Sequence, residues 1–590
     1  MSILSRRLLL ATALALCAAT AEAADSDRQA FFGDLHLHTG LSYDAWGMFG
    51  VKIMPDEAYR FARGEPISYM GRTVRRAEPL DFMAVTDHSE FLGVLNQLDD
   101  AASAAANSET GRRILARKPL GFTTLARAAF EGMPVPKDLD ADRGAQSGWA
   151  KVIEAANANY KPGKFTTFIA YEWTSMPGSG AYNLHRNVIF LGDHAPMPFS
   201  AADSLRPEDL WTYLENVRAK GTPVLAIPHN SNASGGFMFD WVTSEGKPID
   251  AAYARRRAAN EPLVEIVQTK GASETVPELS ANDEFADFEL FDRLLVNTDA
   301  YSSPHGSYVR EALGRGLVLA SRTGVNPYKI GMVGATDIHN GLSTSREDGF
   351  AGGSFGIDPA TMLPDREAAQ AALNAKPGVI RSNQFGSGGL TGVWAEQNNR
   401  ESIFAGLQRK ETFATSGPRI KARLFAGWSY QKNLLRDRNW MKAAYRQGVP
   451  QGADLAPAGG SAKRPSFVLW AAKDPSGANL ERLQMVKVWL DGADHKEKVF
   501  DVLVAGVPIG DPAKAQYSTT VGQAEMAAVW EDPEFDAAAP AAYYLRVLEV
   551  PTPRWSTLLA RKTGATRPDT LPELIRERAW TSPIWYTAGK

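Results

Sequence analysis

Residues 31–39 read Phe31-Phe32-Gly33-Asp34-Leu35-His36-Leu37-His38-Thr39, an apolar run that opens on two phenylalanines and closes on two histidines. Phe31 to His36 reads as a strand, and side chains two apart on a strand share a face, so His36 and His38 point the same way at its end. An isolated pair of this kind is a modest signal. Its weight comes from what repeats downstream. Asp81 to Thr86, Thr166 to Tyr171, Arg186 to Leu191, Val224 to Ile227, Leu263 to Val267 and Ile330 to Thr336 also read as strands, separated by helical patterns. The helix before Val224 is the clearest: Pro207 starts it, Leu210, Trp211, Leu214 and Val217 form its apolar face, and Gly221 stops it. This alternation predicts an α/β fold, a mainly parallel sheet or a closed barrel.

The chain has only nine histidines, and His36, His38, His88, His229 and His339 all fall at or just beyond the end of such a strand. That pole is where a parallel barrel builds its active site. Carboxylates accompany them in Thr86-Asp87-His88, Tyr171-Glu172-Trp173 and Asp337-Ile338-His339. One histidine at a strand end is more often a hydrogen-bonded structural residue than a ligand. Five at one pole are different, because each polar ring buried without a partner costs about 1–3 kcal/mol, and metal coordination satisfies them together. His194, in Gly192-Asp193-His194-Ala195, reads as part of a turn.

The 590 residues are 44% hydrophobic and 22% charged, an ordinary globular composition with room for two domains. A net charge of -3 without runs of like charge points away from nucleic acid and from anionic membrane surfaces, and towards a small-molecule substrate. Arg6 and Arg7, an apolar stretch from Leu8 to Ala19 and the small residues ending at Ala23 read as a signal peptide over residues 1–23. The apolar part is too short to span a bilayer, so a periplasmic or secreted destination is expected, by a twin-arginine or Sec route and without stable membrane insertion. The single cysteine, Cys17, lies inside that segment, so any metal is held by His, Asp, Glu and water. Ala101 to Arg117 reads as a helical insertion. Residues 450–465 are rich in Pro, Gly and Ala, as linkers are, and beyond them Phe467 to Ala471, Met485 to Leu490, Val499 to Val504, Tyr543 to Val550 and Ile584 to Tyr586 read as strands without helices between them. The expected organisation is a β/α domain over residues 24–425 and a C-terminal β-sandwich over 426–590.

The ordered set of H-x-H, D-H, Glu, His, P-H and D-x-H resembles the polymerase and histidinol phosphatase (PHP) family of metallohydrolases, over roughly residues 31–340. The resemblance implies a distorted seven-stranded β/α barrel. It also implies a ligand set. His36 and His38 would hold one ion with Glu172 and Asp337; Glu172 would bridge to a second ion held by His185 and His229; a third would be held by Asp44, His88 and His339. Asp44 stands where the family uses either His or Asp, and His185 opens a strand where the other ligands close one. The insertions at residues 91–165 and 231–260 and the C-terminal sandwich lie outside the family's minimal pattern.

Two or three divalent ions, Zn, Mn or Fe, would lower the pKa of a shared water and take up charge on the substrate, which makes phosphoester hydrolysis the primary reading. Arg186, Lys270 and Asn230 are candidate holders of an anionic oxygen, Asp337 is a candidate for proton exchange with the leaving group, and Asp87 and Glu265 are candidate second carboxylates behind the imidazoles. Two other readings keep the metals. One is hydrolysis of an amide, carbamate or carboxylic ester; the other is a metal or carbohydrate binding protein without catalysis.

Overall fold

A computed structural model describes residues 28–117, 136–295, 300–349, 366–374, 384–458, 464–505 and 521–588. The signal peptide with Cys17 and part of the 450–465 linker lie outside the described residues. Strands β1 (Gln29–Asp34), β2 (Phe82–Ala84), β3 (Thr166–Trp173), β4 (Arg186–Phe190), β5 (Val224–Pro228), β6 (Leu263–Gln268) and β7 (Gly331–Gly334) occupy the seven stretches read from the sequence. β1, β2 and β3 run parallel, and β6 runs parallel to β7. β4 departs from the expected parallel order by running antiparallel to both β3 and β5. The cause is the link before it. Residues 174–185 hold only a single kinked turn at Pro177–Gly180, whereas a parallel return usually carries a full helix in its crossover. Between β4 and β5 the helix α1 (Pro207–Ala219) buries Leu210, Trp211, Leu214 and Val217, the face expected from their spacing.

The chain beyond β1 and the chain beyond β7 meet in a parallel bridge between Leu37 and Ile338. The His38 N–H donates to the Ile338 carbonyl at 2.9 Å and the Asp337 N–H to the His36 carbonyl at 2.8 Å. Buried Asp34 reinforces this join, accepting from the Thr336 N–H at 3.1 Å, the Thr336 hydroxyl at 2.6 Å and the Ser343 hydroxyl at 2.7 Å.

On the other edge of β1 lie strands absent from the sequence reading: β8 (Leu390–Ala395), antiparallel to β1, and β9 (Thr412–Thr415), antiparallel to β8. β9 pairs with β16 (Arg578–Thr581), and β16 with β15 (Ala541–Glu549), so one 13-stranded sheet passes through both halves of the chain. Against its C-terminal part lies a smaller four-stranded sheet that contains β10 (Lys421–Gly427), β11 (Ser466–Ala472) and β14 (Glu525–Glu531). A core of Phe32, Trp394, Leu424, Phe467, Met485 and Tyr543 joins the two sheets. The C-terminal strands therefore do not stand apart as a unit of their own, because part of them lies in a sheet shared with the N-terminal half. β12 (Leu480–Asp491) and β13 (Asp494–Val504) form a long hairpin on β15. No helix among the described residues is long and apolar enough to cross a membrane.

Candidate metal centre

Each strand of the first half delivers side chains to one end of the sheet. His36 and His38 extend from β1 on one face, while the alternating Leu35 and Leu37 are buried in apolar cores. Thr86-Asp87-His88 follows β2, and a bridge pairs His88 with Glu172 near the end of β3. Tyr171 and Trp173, on either side of Glu172, belong to an apolar core. His185 stands at the start of β4, and because β4 is antiparallel its start lies at the pole where the parallel strands end. The feature that made His185 look misplaced in sequence is what brings it in. His229 follows β5 and Asp337 follows β7. Asn230 and Asp337 adopt positive φ, 46° and 53°, a conformation that Asn and Asp tolerate best after glycine. Asp44 comes from the first turn of the short helix Tyr43–Phe49, where a negative charge is favoured. The helical insertion after residue 100 supports that turn, since Ala105, Ala106 and Ile114 pack in one core with Tyr43 and Trp46.

Glu172 is the hub. Its Oε1 lies 2.6 Å from His185 Nδ1 and 3.1 Å from His229 Nε2. Its Oε2 lies 3.0 Å from His38 Nε2 and 3.3 Å from both His36 Nε2 and His88 Nδ1. Asp337 Oδ1 faces His36 Nε2 at 3.1 Å, His38 Nε2 at 3.2 Å and His339 Nδ1 at 3.4 Å. Asp44 Oδ2 faces His339 Nε2 at 3.0 Å and His88 Nε2 at 3.3 Å. Four overlapping groups have ligand atoms within 4.8 Å of one another: His38, Asp44, His88 and His339; His36, His38 and Asp337; Glu172, His185 and His229; and His36, His229 and Glu265. All nine residues of the sequence-derived ligand set are thus brought together. Glu265 joins them as a further possible ligand.

The protons do not suit a site held together by hydrogen bonds alone. The His36 Nδ1–H donates to Glu265 Oε2 at 2.9 Å and the His339 Nδ1–H to the Asp337 carbonyl at 3.0 Å. In the neutral rings both Nε2 atoms are then bare lone pairs aimed at carboxylate oxygens. Either a cation lies between them or the rings take on protons. Without an ion, protonation serves His36 but not His339: burial opposes it, yet Asp337 and Glu265 carry His36 well above its ordinary value, and Glu172 and Asp44 raise His88 to about 9. His229 and His339 are pushed the other way by burial and by a neighbouring imidazole, to about 3 and about 4. Burial raises Glu172, but His88, His229 and His185 outweigh it and hold it well below the usual carboxylate range. Buried His185 Nε2, His229 Nδ1 and Glu265 Oε1 have no hydrogen-bond partner. Divalent cations fit this donor set, because they accept neutral imidazole lone pairs and ionised carboxylates at once.

The remaining expectations divide. Lys270 is buried at the centre and pairs with Asp337 Oδ2. Asn230 accepts the Gln268 amide N–H at 2.8 Å through Oδ1, and its Nδ2 is buried without a partner. Glu265 backs His36 as expected, whereas Asp87 accepts from the Thr39 N–H at 2.6 Å and hydroxyl at 2.7 Å, fixing the turn after His38. Arg186 corrects the sequence reading. It is opposite Trp173 in the β3–β4 register, on the face away from Glu172, and its guanidinium pairs with Glu261 at 3.0 Å. It therefore cannot reach a substrate at the metal centre. Sequence reasoning also missed Ser42 and Thr174, whose hydroxyls lie 2.8 Å from His38 Nδ1 and 2.6 Å from His88 Nδ1. Both sit in loops with no pattern to mark them.

Residues 25–588 match the family described as "Protein of unknown function (DUF3604)". No curated protein matches the sequence. Among solved structures, a two-domain protein from Bacteroides vulgatus containing a predicted PHP-like metal-dependent phosphoesterase is 10% identical, covering 95% of this chain and 97% of that one with a TM-score of 0.30.

Proposed function

The chain belongs to the DUF3604 family, and from its buried cluster we propose that it is a metal-dependent hydrolase with phosphate esters as its substrate class. The observation that carries this reading is the Glu172 carboxylate, shared by five imidazoles at 2.6–3.3 Å in a buried site. Glu172 would bridge an ion held by His36, His38 and Asp337 to one held by His185 and His229, with Asp44, His88 and His339 holding a third. The resident ions would be Zn, Mn or Fe, and when bound they would lower the pKa of water and neutralise charge on the substrate.

The protein's own residues then have defined tasks. Glu265 keeps the His36 proton on Nδ1 and so keeps Nε2 free as a ligand. Lys270 would hold Asp337 in place and present a positive charge to a phosphoryl oxygen, and the unpartnered Asn230 Nδ2–H would donate to another. We read β1–β7 as a distorted barrel around this pole, the C-terminal strands as a sandwich built on its sheet, and the mature chain as periplasmic or secreted. The test compares p-nitrophenyl phosphates with p-nitrophenyl esters and carbamates on the metal-loaded chain. Phosphate turnover that is lost on chelation and in Glu172→Gln supports the proposal; ester or carbamate turnover without phosphate turnover overturns its substrate class.

A further inference from the structure

A second group of buried carboxylates lies outside the metal centre. A pocket of about 170 Å³, where the segment beyond His339 meets the C-terminal sheet, has Glu347, Asp474, Glu549 and Glu577 on its wall, with the Arg346–Asp348 pair beside them. Glu549 is 1% exposed and Glu577 3%. Glu549 Oε1 is buried without a hydrogen-bond partner, and so is Glu347 Oε1. An unpaired carboxylate oxygen in such a place is costly to leave as it is.

The nearby cations are already engaged. Arg554 grips both oxygens of Glu289 at 2.7 Å, Arg346 pairs with Asp348 at 2.9 Å, and Lys473 donates to the carbonyls of Asp474 and Gly477 at 3.1 and 2.6 Å. Asp474 is itself satisfied, accepting from the Ser476 N–H at 2.8 Å and the Arg419 N–H at 2.7 Å. No lysine or arginine forms an ion pair with Glu347, Glu549 or Glu577 among the described residues. Burial and the closeness of Asp474 push Glu549 up to about 8, and burial pushes Glu347 up to about 7.

Three features choose the kind of cation. Among the described residues, the groups of three or more with ligand atoms within 4.8 Å of one another all belong to the candidate metal centre, so the carboxylates here are spread too widely to chelate one small ion. The pocket is also larger than an ion needs, and Pro553 and Leu558 give it apolar wall. No aromatic residue lines it, and aromatic faces are what recognise quaternary ammonium groups. Separated carboxylate acceptors with apolar surface between them suit an N–H donor on a short alkyl chain. We propose that this pocket binds a short primary ammonium compound, at a site separate from the metal centre.

Such a ligand holds the carboxylates ionised, so it binds more tightly as pH rises past their elevated values while an alkyl amine, with a pKa near that of lysine at about 10.4, keeps its charge. The test is isothermal titration of the full, metal-loaded chain with 1,4-diaminobutane, with tetramethylammonium chloride and calcium chloride as comparison titrants. One saturable site is expected at pH 8.5, at least tenfold weaker at pH 5.5 and at least tenfold weaker in Glu549→Gln and Glu577→Gln. Should either variant fail to fold, the wild-type melting temperature carries the test: the diamine raises it at pH 8.5 and tetramethylammonium does not. The proposal is overturned by no diamine binding at millimolar concentration at pH 8.5, by equal binding in both glutamine variants, or by calcium displacing the diamine from this site.

Discussion

The candidate metal centre and the knot around Arg310 and Arg546 both bury several charges, and they balance them in different ways. In the knot, Glu274 receives Arg310 at 2.5 Å, the Tyr544 hydroxyl at 2.6 Å and the Trp580 indole N–H at 2.7 Å. Asp283 receives Arg546 through both oxygens, at 2.7 and 2.8 Å, and Arg310 at 2.9 Å. Every carboxylate oxygen there meets an N–H or O–H that the chain itself supplies. At the metal centre the carboxylates of Glu172, Asp337 and Asp44 face imidazole nitrogens instead, and among the described residues Lys270 is the one lysine or arginine that pairs with them. A charge cluster complete in its own cations can hold a fold together; one that lacks them has the donor set that the proposed metal ions would complete. The knot accordingly joins the helix Val309–Thr323 to β15, across the two halves of the chain.

Breaking each cluster should therefore produce different losses. Glu172→Gln removes the shared carboxylate charge, and metal-dependent turnover is expected to fall by about 10³-fold or more, the upper end for loss of one electrostatic stabiliser; steady-state rates on the best p-nitrophenyl substrate check this. Arg546→Met leaves Glu274 and Asp283 buried without their main partner. It should cost about 3–5 kcal/mol in urea unfolding, the usual penalty for breaking a buried ion pair from one side, while metal content of the folded fraction stays at the wild-type level. An equal loss of metal would merge the two regions into one system and remove the distinction. Glu265→Gln should be milder, lowering metal affinity about 10–100-fold in competition with a chelator, as loss of a carboxylate behind a ligand imidazole does.

A pH series sharpens the contrast further. His88 is raised to about 9 in the metal-free chain, so its contribution to stability is complete below about 6.5 and is lost as pH rises through 9. Glu274 is depressed to about 2 by Arg546 and Arg310 against the pull of burial, so its contribution is present above about 4.5 and is lost as pH falls towards 2. The difference in unfolding midpoint between metal-loaded and metal-free protein should therefore widen from pH 7 to 9. In that interval the Glu274 contribution is constant. A constant difference across the interval would show that His88 does not carry the proton in the metal-free chain.

The metal centre was far more legible in the sequence than the sheet that carries it. Five strand-end histidines at one pole mark a site together where one alone would not, and each of β1–β7 overlaps the stretch read for it. The direction of β4 was not marked, since apolar alternation is the same in both directions; only the lack of a helical pattern in residues 174–185 carries that information. Arg186 was misread for the same reason, because its face depends on the register with Trp173. β8, β9 and β16 were missed for a different one. Leu390–Ala395 contains Gly392, and Thr412–Thr415 and Arg578–Thr581 are only four residues long, so none makes a convincing apolar run by itself. They are strands because of their neighbours, and they make the two halves share one sheet.

The most direct test is a count of metal ions per chain, by inductively coupled plasma mass spectrometry, after the purified full-length protein is loaded with Zn or Mn and passed through a desalting column. The account predicts two or three ions per wild-type chain and fewer than one in Glu172→Gln. A wild-type chain that retains none, while folded by circular dichroism, would mean that protonated imidazoles and not metal ions neutralise Glu172, Asp337 and Asp44.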